Sequence, residues 1–213
     1  MMGVDHLRPV WAVLLACCAF AGVGHAAERS AAALAREGRT ECEQGRRAVS
    51  RDEREQHFTR GRELAEQAVA LDDDSAAAHF ALFCNLGELM RIDGESISSV
   101  FALRRLMSEL DRTLALDPDN TDALAAKGTL LIRLPRLLGG DPAKGEQMLR
   151  QVVAEDPNAV SSRLTLAKTC EARGEREEAL GLARRALQVA RSQGRADKIA
   201  EAQATLAELG ASH

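Results

Sequence analysis

Four tandem copies of one helix-pair pattern occupy most of this chain, and that repetition restricts it to a stack of helices in which each pair buries its apolar face against its neighbours. The clearest copy reads Arg163-x2-Leu166-Ala167-x2-Cys170 in its first helix and Ala179-x3-Ala183-x2-Ala186 in its second. The copy before it has Leu124-x2-Lys127-Gly128-x2-Leu131, then Gly145-x3-Leu149-x2-Val152 and a closing Pro157. Small residues recur where two helix backbones must approach, and Gly128 allows the closest approach. A third copy runs His79-x2-Leu82-Phe83-x2-Leu86, then Leu106-x3-Leu110-x2-Thr113 and Pro118, with Phe83 in the place of the small residue. The earliest copy shows only its second helix plainly, as Gly61-x3-Ala65-x2-Ala68 before Leu71-Asp72-Asp73-Asp74; its first helix is expected within residues 28–49.

This order of large, small and large positions, followed by small-x3-large, resembles the tetratricopeptide repeat (TPR) family. The resemblance implies an all-α fold: helix-turn-helix repeats stacked as a right-handed α-solenoid with a C-terminal capping helix. It also implies a concave face, lined by the first helix of each pair, that holds an extended peptide or a partner helix. By register, that groove receives Phe80 and Cys84 from the second repeat, Thr129 and Arg133 from the third, and Leu164 and Lys168 from the fourth. An apolar floor at one end and cations at the other suit a peptide with a hydrophobic anchor and a carboxylate. The paired Lys and Asn positions of chaperone-tail clamps are not matched, since only Lys168 comes near them.

Residues 1–26 read as an export signal: Arg8, an apolar run from Val10 to Val23, and the small-x-small site Gly24-His25-Ala26. Cleavage after Ala26 is expected, giving a periplasmic or secreted protein. Two alternatives stand. The run can remain as an uncleaved anchor, although it is short for a span and is followed at once by Glu28 and Arg29. Leu14-Leu15-Ala16-Cys17 also matches a lipobox, which would leave Cys17 as a lipidated amino terminus. No stable membrane span is expected after cleavage.

The remaining chain, residues 27–213, is read as one elongated domain with repeats at about 28–74, 75–119, 120–157 and 158–192 and a cap at 195–210. The expected helices are 28–49, 52–71, 76–92, 95–116, 121–134, 142–155, 158–173, 175–191 and 196–209. Asp141-Pro142 is a strong start signal, because Asp accepts orphan amide protons and Pro has none to satisfy. Lys198, Glu201 and Glu208 supply the polar outer face that a terminal helix needs. Tyr is absent and the single Trp lies in the export segment, so packing must be built from Ala and Leu.

The formal net charge is −4 and the charges are mixed along the helices, as in Arg173-Gly174-Glu175-Arg176-Glu177-Glu178, which argues against nucleic acid as a partner. After cleavage three cysteines remain, Cys42, Cys84 and Cys170. Cys42 and Cys84 are read either as buried thiols, the favoured reading, or as a disulfide between first helices.

Chemistry is sparse. No His-x3-His, Cys-x2-Cys or Gly-x-Ser-x-Gly occurs, Gly139-Gly140 lacks the Lys and Ser/Thr of a phosphate loop, and Asp72-Asp73-Asp74-Ser75 lacks the Gly and distant Glu of a calcium loop. No metal, cofactor or catalytic residue is expected, and the chain is read as a non-enzymatic, exported protein-interaction scaffold.

The repeat spacing exceeds the family's roughly 34 residues at two places. Leu71 to Leu116 is stretched, with the excess expected to lengthen the helices flanking Arg91-Ile92-Asp93-Gly94. The other stretch is Leu134-Pro135-Arg136-Leu137-Leu138-Gly139-Gly140-Asp141-Pro142, where Leu137 and Leu138 either form an apolar contact patch or fold back on adjacent helices. This segment, in an exported helical chain, resembles the periplasmic T-component of some TRAP transporters. That resemblance implies an alternative role, an accessory that engages a solute-binding protein through Leu137 and Leu138.

Overall fold

In a computed structural model, residues 30–92 and 100–211 are described; the expected export signal, with Cys17, and the stretch flanking Gly94 lie outside them. Among the described residues there are nine α-helices, one short 3-10 turn and no strand. The helices are α1 (Ala31–Arg47), α2 (Arg51–Leu71), α3 (Ala76–Ile92), α4 (Val100–Leu116), α5 (Thr121–Arg133), α6 (Pro142–Glu155), α7 (Val160–Ala172), α8 (Arg176–Ser192) and α9 (Ala196–Ala211). None of them is long and apolar enough to cross a membrane.

Side-chain oxygens start several helices by accepting the orphan amides of the first turn. Ser30 accepts from Ala33 N at 3.2 Å, Ser50 from Glu53 N at 3.1 Å and Asn120 from Ala123 N at 3.0 Å. Asp141 accepts from Lys144 N at 3.1 Å, with Pro142 in the first turn of α6. Asp141→Ala should therefore lower the unfolding free energy by about 1 kcal/mol, read as a fall in the urea midpoint; an unchanged midpoint would deny the cap its role.

Helices pair as α1/α2, α3/α4, α5/α6 and α7/α8, each pair packs on the next, and α9 closes the stack against α8 and α7. This is an all-α helical-repeat solenoid. Its core is a chain of local clusters rather than one centre: Leu34, Leu64 and Ala78 join α1–α3, Phe80, Leu110 and Ala123 join α3–α5, and Val160, Ala186 and Ala202 join α7–α9. Each repeat thus depends on its neighbours for burial.

Small residues set the closest approaches. A Cβ on Gly145 would lie 2.6 Å from Gly128 O, and one on Gly128 would lie 2.9 Å from Gly145 O, so α5 and α6 touch backbone to backbone. The α5–α6 connection is equally tight. Gly140 donates to Pro135 O at 3.1 Å, Asp141 N reaches back to Leu131 O at 2.9 Å, and a Cβ on Gly140 would fall 1.8 Å from Leu134 O. Gly139 supplies the left-handed turn at φ 88° that folds this connection back.

Two expectations are revised in detail. Helix α7 begins at Val160 rather than at 158, because Pro157 and Asn158 form a turn in which the Asp156 side chain accepts from Asn158 N at 2.7 Å. Helix α1 ends at Arg47, where the Ala48 backbone turns extended before Ser50 caps α2.

Candidate functional site

Three successive first helices share a face that is tied together by side chains. Arg39 of α1 lies over the Phe80 ring of α3, 4.5 Å from its centroid, and its Nη2 reaches Asp122 Oδ2 of α5 at 2.9 Å. One guanidinium thus spans three repeats, stacked on an aromatic face and paired with a carboxylate at once. Phe80 is in turn stacked on Phe83, with centroids 5.7 Å apart. One turn further along α3, Cys84 receives weak contacts from Arg46 Nη2 at 3.5 Å and Arg39 Nη1 at 3.9 Å. Arg46 Nε also donates to Glu88 Oε1 at 2.7 Å, and Arg91 approaches the other oxygen of Glu88 at 3.5 Å. Glu88 is almost wholly buried, so these guanidiniums compensate a carboxylate that would otherwise be costly.

Phe80 and Cys84 therefore belong to one cluster, although both are mostly covered. The remaining residues of the expected groove are dispersed. Thr129 is half-buried and its hydroxyl donates to Ala125 O within its own helix at 2.8 Å; Arg133 is exposed at the end of α5. Lys168 is exposed on α7 and lies 3.6 Å from Glu208 of α9. Leu164, only 2% exposed, is packed against α8 and α9 and offers no surface to a partner. In the α5–α6 connection the two leucines part: Leu137 is 99% exposed, whereas Leu138 is half-buried.

Sequence reasoning missed Arg39, Arg46, Glu88 and Asp122. The signal was present as spacing: Phe80, Cys84 and Glu88 follow one another every four residues, and Arg39 and Arg46 are seven apart, so each set lies on one helix face. Without a visible repeat template in α1, its register against α3 had no anchor.

Structural staples surround this face. Asn85, fully buried, donates through Nδ2 to Gly38 O and Ala81 O, both at 2.9 Å, joining α1 to α3 where Gly61 leaves room. His79 places Nδ1 2.7 Å from Glu109 Oε2 and Nε2 2.9 Å from Asp73 O. Both ring nitrogens are thus engaged in holding the repeat together.

Cys42, Cys84 and Cys170 are free thiols, all buried. Cys170 lies with Glu175 and Glu178 in a group whose ligand atoms fall within 4.8 Å of one another. Those carboxylates are already engaged by guanidiniums, Arg173 with Glu175 at 2.6 Å and Arg150 with Glu178 at 2.6 Å, so the group is an ion-pair network. Glu146 joins it through Arg173 and through Arg150 at 2.8 Å; the Arg173 hydrogen bond is the main cause of a carboxyl held below its ordinary range. A carboxylate with a depressed folded pKa contributes stability above the unfolded pKa and loses it as pH falls through the folded value. Glu146→Gln should therefore lower the urea midpoint at neutral pH, with the difference from the parent shrinking in acid. A difference that grows in acid would contradict this ion-pair role.

No protein-family model matches the chain, and no curated protein sequence does. Solved structures do share its fold. A thermophilic TPR protein, TTC0263 from Thermus thermophilus, superposes with a TM-score of 0.60 at 20% identity, over 84% of this chain and 82% of that one. MamA superposes with a TM-score of 0.51 at 18% identity, over 78% and 81% of the two chains. With helix pairs, close glycine contacts and a terminal cap arranged as described, the chain has the fold of the TPR solenoids.

Proposed function

We propose that the chain is a non-enzymatic, exported protein-interaction scaffold that holds an extended segment of a protein partner along the concave face formed by its first helices. The observation that carries this reading is Arg39, which stacks on Phe80 and reaches Asp122, making α1, α3 and α5 one continuous surface. On that surface Arg39 covers the Phe80 ring, and further cations follow on later first helices at Arg133 and Lys168. It suits a segment with an apolar anchor and a free carboxylate, which guanidinium and ammonium groups hold by charge-assisted hydrogen bonds. A net charge of −4 with charges mixed along the helices argues against nucleic acid as the partner. Export by the signal at residues 1–26, to the periplasm or outside the cell, belongs to the same reading, with lipidation at Cys17 as its variant.

The test is selection from a library of peptides with free C-termini, repeated with amidated ones. Selected peptides should share an apolar residue near a free terminus, and Arg133→Glu/Lys168→Glu should weaken them by about tenfold or more. Equal binding of amidated peptides, or an unaffected double variant, would contradict the carboxylate-holding face.

A second reading rests on Leu137, a fully exposed leucine held out by the tight Gly139-Gly140 turn. It supports an accessory that engages a solute-binding protein, as in the T-component resemblance. Leu137→Asp would then abolish association while leaving peptide binding on the helical face intact; retention of the association would remove this reading.

A further inference from the structure

The thiol pair at the α1–α3 contact is not used by the binding role. Cys42 of α1 is 0% exposed and Cys84 of α3 is 4% exposed, and they share a cluster with Phe58. Each thiol perturbs the ionisation of the other across this contact. Arg46 Nη2 and Arg39 Nη1 lie 3.5 and 3.9 Å from the Cys84 sulfur. Two guanidiniums beside one sulfur favour an anion there and oppose a metal cation, so the pair is poised for thiolate chemistry rather than for metal binding.

We propose that Cys42 and Cys84 are a peroxide-responsive thiol pair, in which the Cys84 thiolate is the attacking group and Cys42 the resolving thiol that closes a disulfide between α1 and α3. The assignment of roles follows from the charges, since both guanidinium contacts are made to the Cys84 sulfur. The neighbouring Cys42 thiol is the main cause of a Cys84 thiol held down at about 7; Arg46 and Arg39 act in the same direction, against burial and the nearby Glu88. The Cys84 sulfur beside it, then burial, push Cys42 up, so that it keeps its proton. Cys170 is an internal control: it also has two guanidiniums near its sulfur, but no thiol donates to it, and burial pushes it up.

The oxidant is a hydroperoxide. The Cys84 sulfur attacks its terminal oxygen, the O–O bond breaks, and the departing alkoxide takes up a proton and leaves as an alcohol, or as water from hydrogen peroxide. Cys84 is now a sulfenic acid, oxidised by two electrons. Cys42 then gives up its proton, its sulfur attacks the Cys84 sulfur, and hydroxide leaves as water. The net change is two thiols and one hydroperoxide to one disulfide, one alcohol and one water. Closing the disulfide brings the two sulfurs, which share one buried cluster, to a bond of about 2 Å. Arg39 and Arg46, which lie against Cys84, are partly exposed long side chains, so a small peroxide reaches the sulfur by displacing side chains rather than backbone.

The test is treatment of the folded, reduced full-length protein with hydrogen peroxide, followed by alkylation, digestion and mass spectrometry without reduction. A Cys42–Cys84 cross-linked peptide is expected, forming before oxidation of Cys170. Cys42→Ser should stop at a sulfenic acid on Cys84 that dimedone traps, and in the parent chain the rate of Cys84 oxidation should level off above about pH 7. Arg46→Met, checked for folding by circular dichroism, should slow Cys84 oxidation at neutral pH by about fivefold, the effect of one unit of pKa on a half-ionised thiol. The proposal is overturned if Cys42 and Cys84 both remain alkylatable after peroxide, if dimedone marks Cys42 in Cys84→Ser as fast as it marks Cys84 in Cys42→Ser, or if Cys170 oxidises as fast as Cys84.

Discussion

Phe58→Ala is expected to lower the unfolding free energy by about 4 kcal/mol, the middle of the range for truncating a buried aromatic ring. Phe58 is fully buried in α2 and shares a cluster with Cys42 of α1 and Cys84 of α3. Its ring fills the space that a side chain at position 45 would otherwise need: a Cβ on Gly45 would lie 2.4 Å from Phe58 Cε1. Ring and glycine are matched, so truncation leaves a cavity that the α1 backbone can fill only by moving. Because each repeat contacts only its neighbours, the loss should be local. Amide exchange should accelerate in α1–α3 and change little in α7–α9. A loss below about 1 kcal/mol, or faster exchange spread evenly over the chain, would contradict this packing.

Gly145→Val should cost about 3 kcal/mol by overpacking. The added Cβ would meet Gly128 O at 2.6 Å, Ile132 Cγ1 at 2.9 Å and Ile132 N at 3.1 Å. Two of those three atoms are backbone, and neither can turn aside as a side chain does. The comparison is Gly181→Ala on α8, where an added Cβ meets nothing within 4 Å. There the helix propensity of alanine should raise stability by about 1 kcal/mol. Opposite signs at the two glycines are the expected result of urea unfolding. A stabilising change at Gly145 would mean that α5 and α6 do not approach as described.

The two glycines also show how far the sequence can be read. Gly128 and Gly145 were legible as contact positions because the repeat template places small residues there. Asp141-Pro142 fixed the start of α6 through capping chemistry that is purely local. The helix pairs followed from the same two sources. The face on α1 was less legible, because Arg39 pairs with Phe80 and Asp122 at 41 and 83 residues' remove, and only the relative rotation of three helices brings them together. Leu164 illustrates the converse. Its place in the first helix of its repeat pointed to the groove, but α9 folds back on α7 and α8 and covers it. Leu137 and Leu138 are adjacent in sequence, yet the 3-10 turn at Arg136–Leu138 sends one outward and leaves the other half-covered.

The central claim is that the first-helix face recognises a protein partner through its cations. It is tested most directly by affinity capture from an envelope extract with the parent chain beside Arg133→Glu/Lys168→Glu, both folded by circular dichroism, with captured proteins identified by mass spectrometry. The account predicts a partner held by the parent and lost by the double variant, whose isolated form then binds the parent directly. The same proteins captured equally by both chains would contradict it.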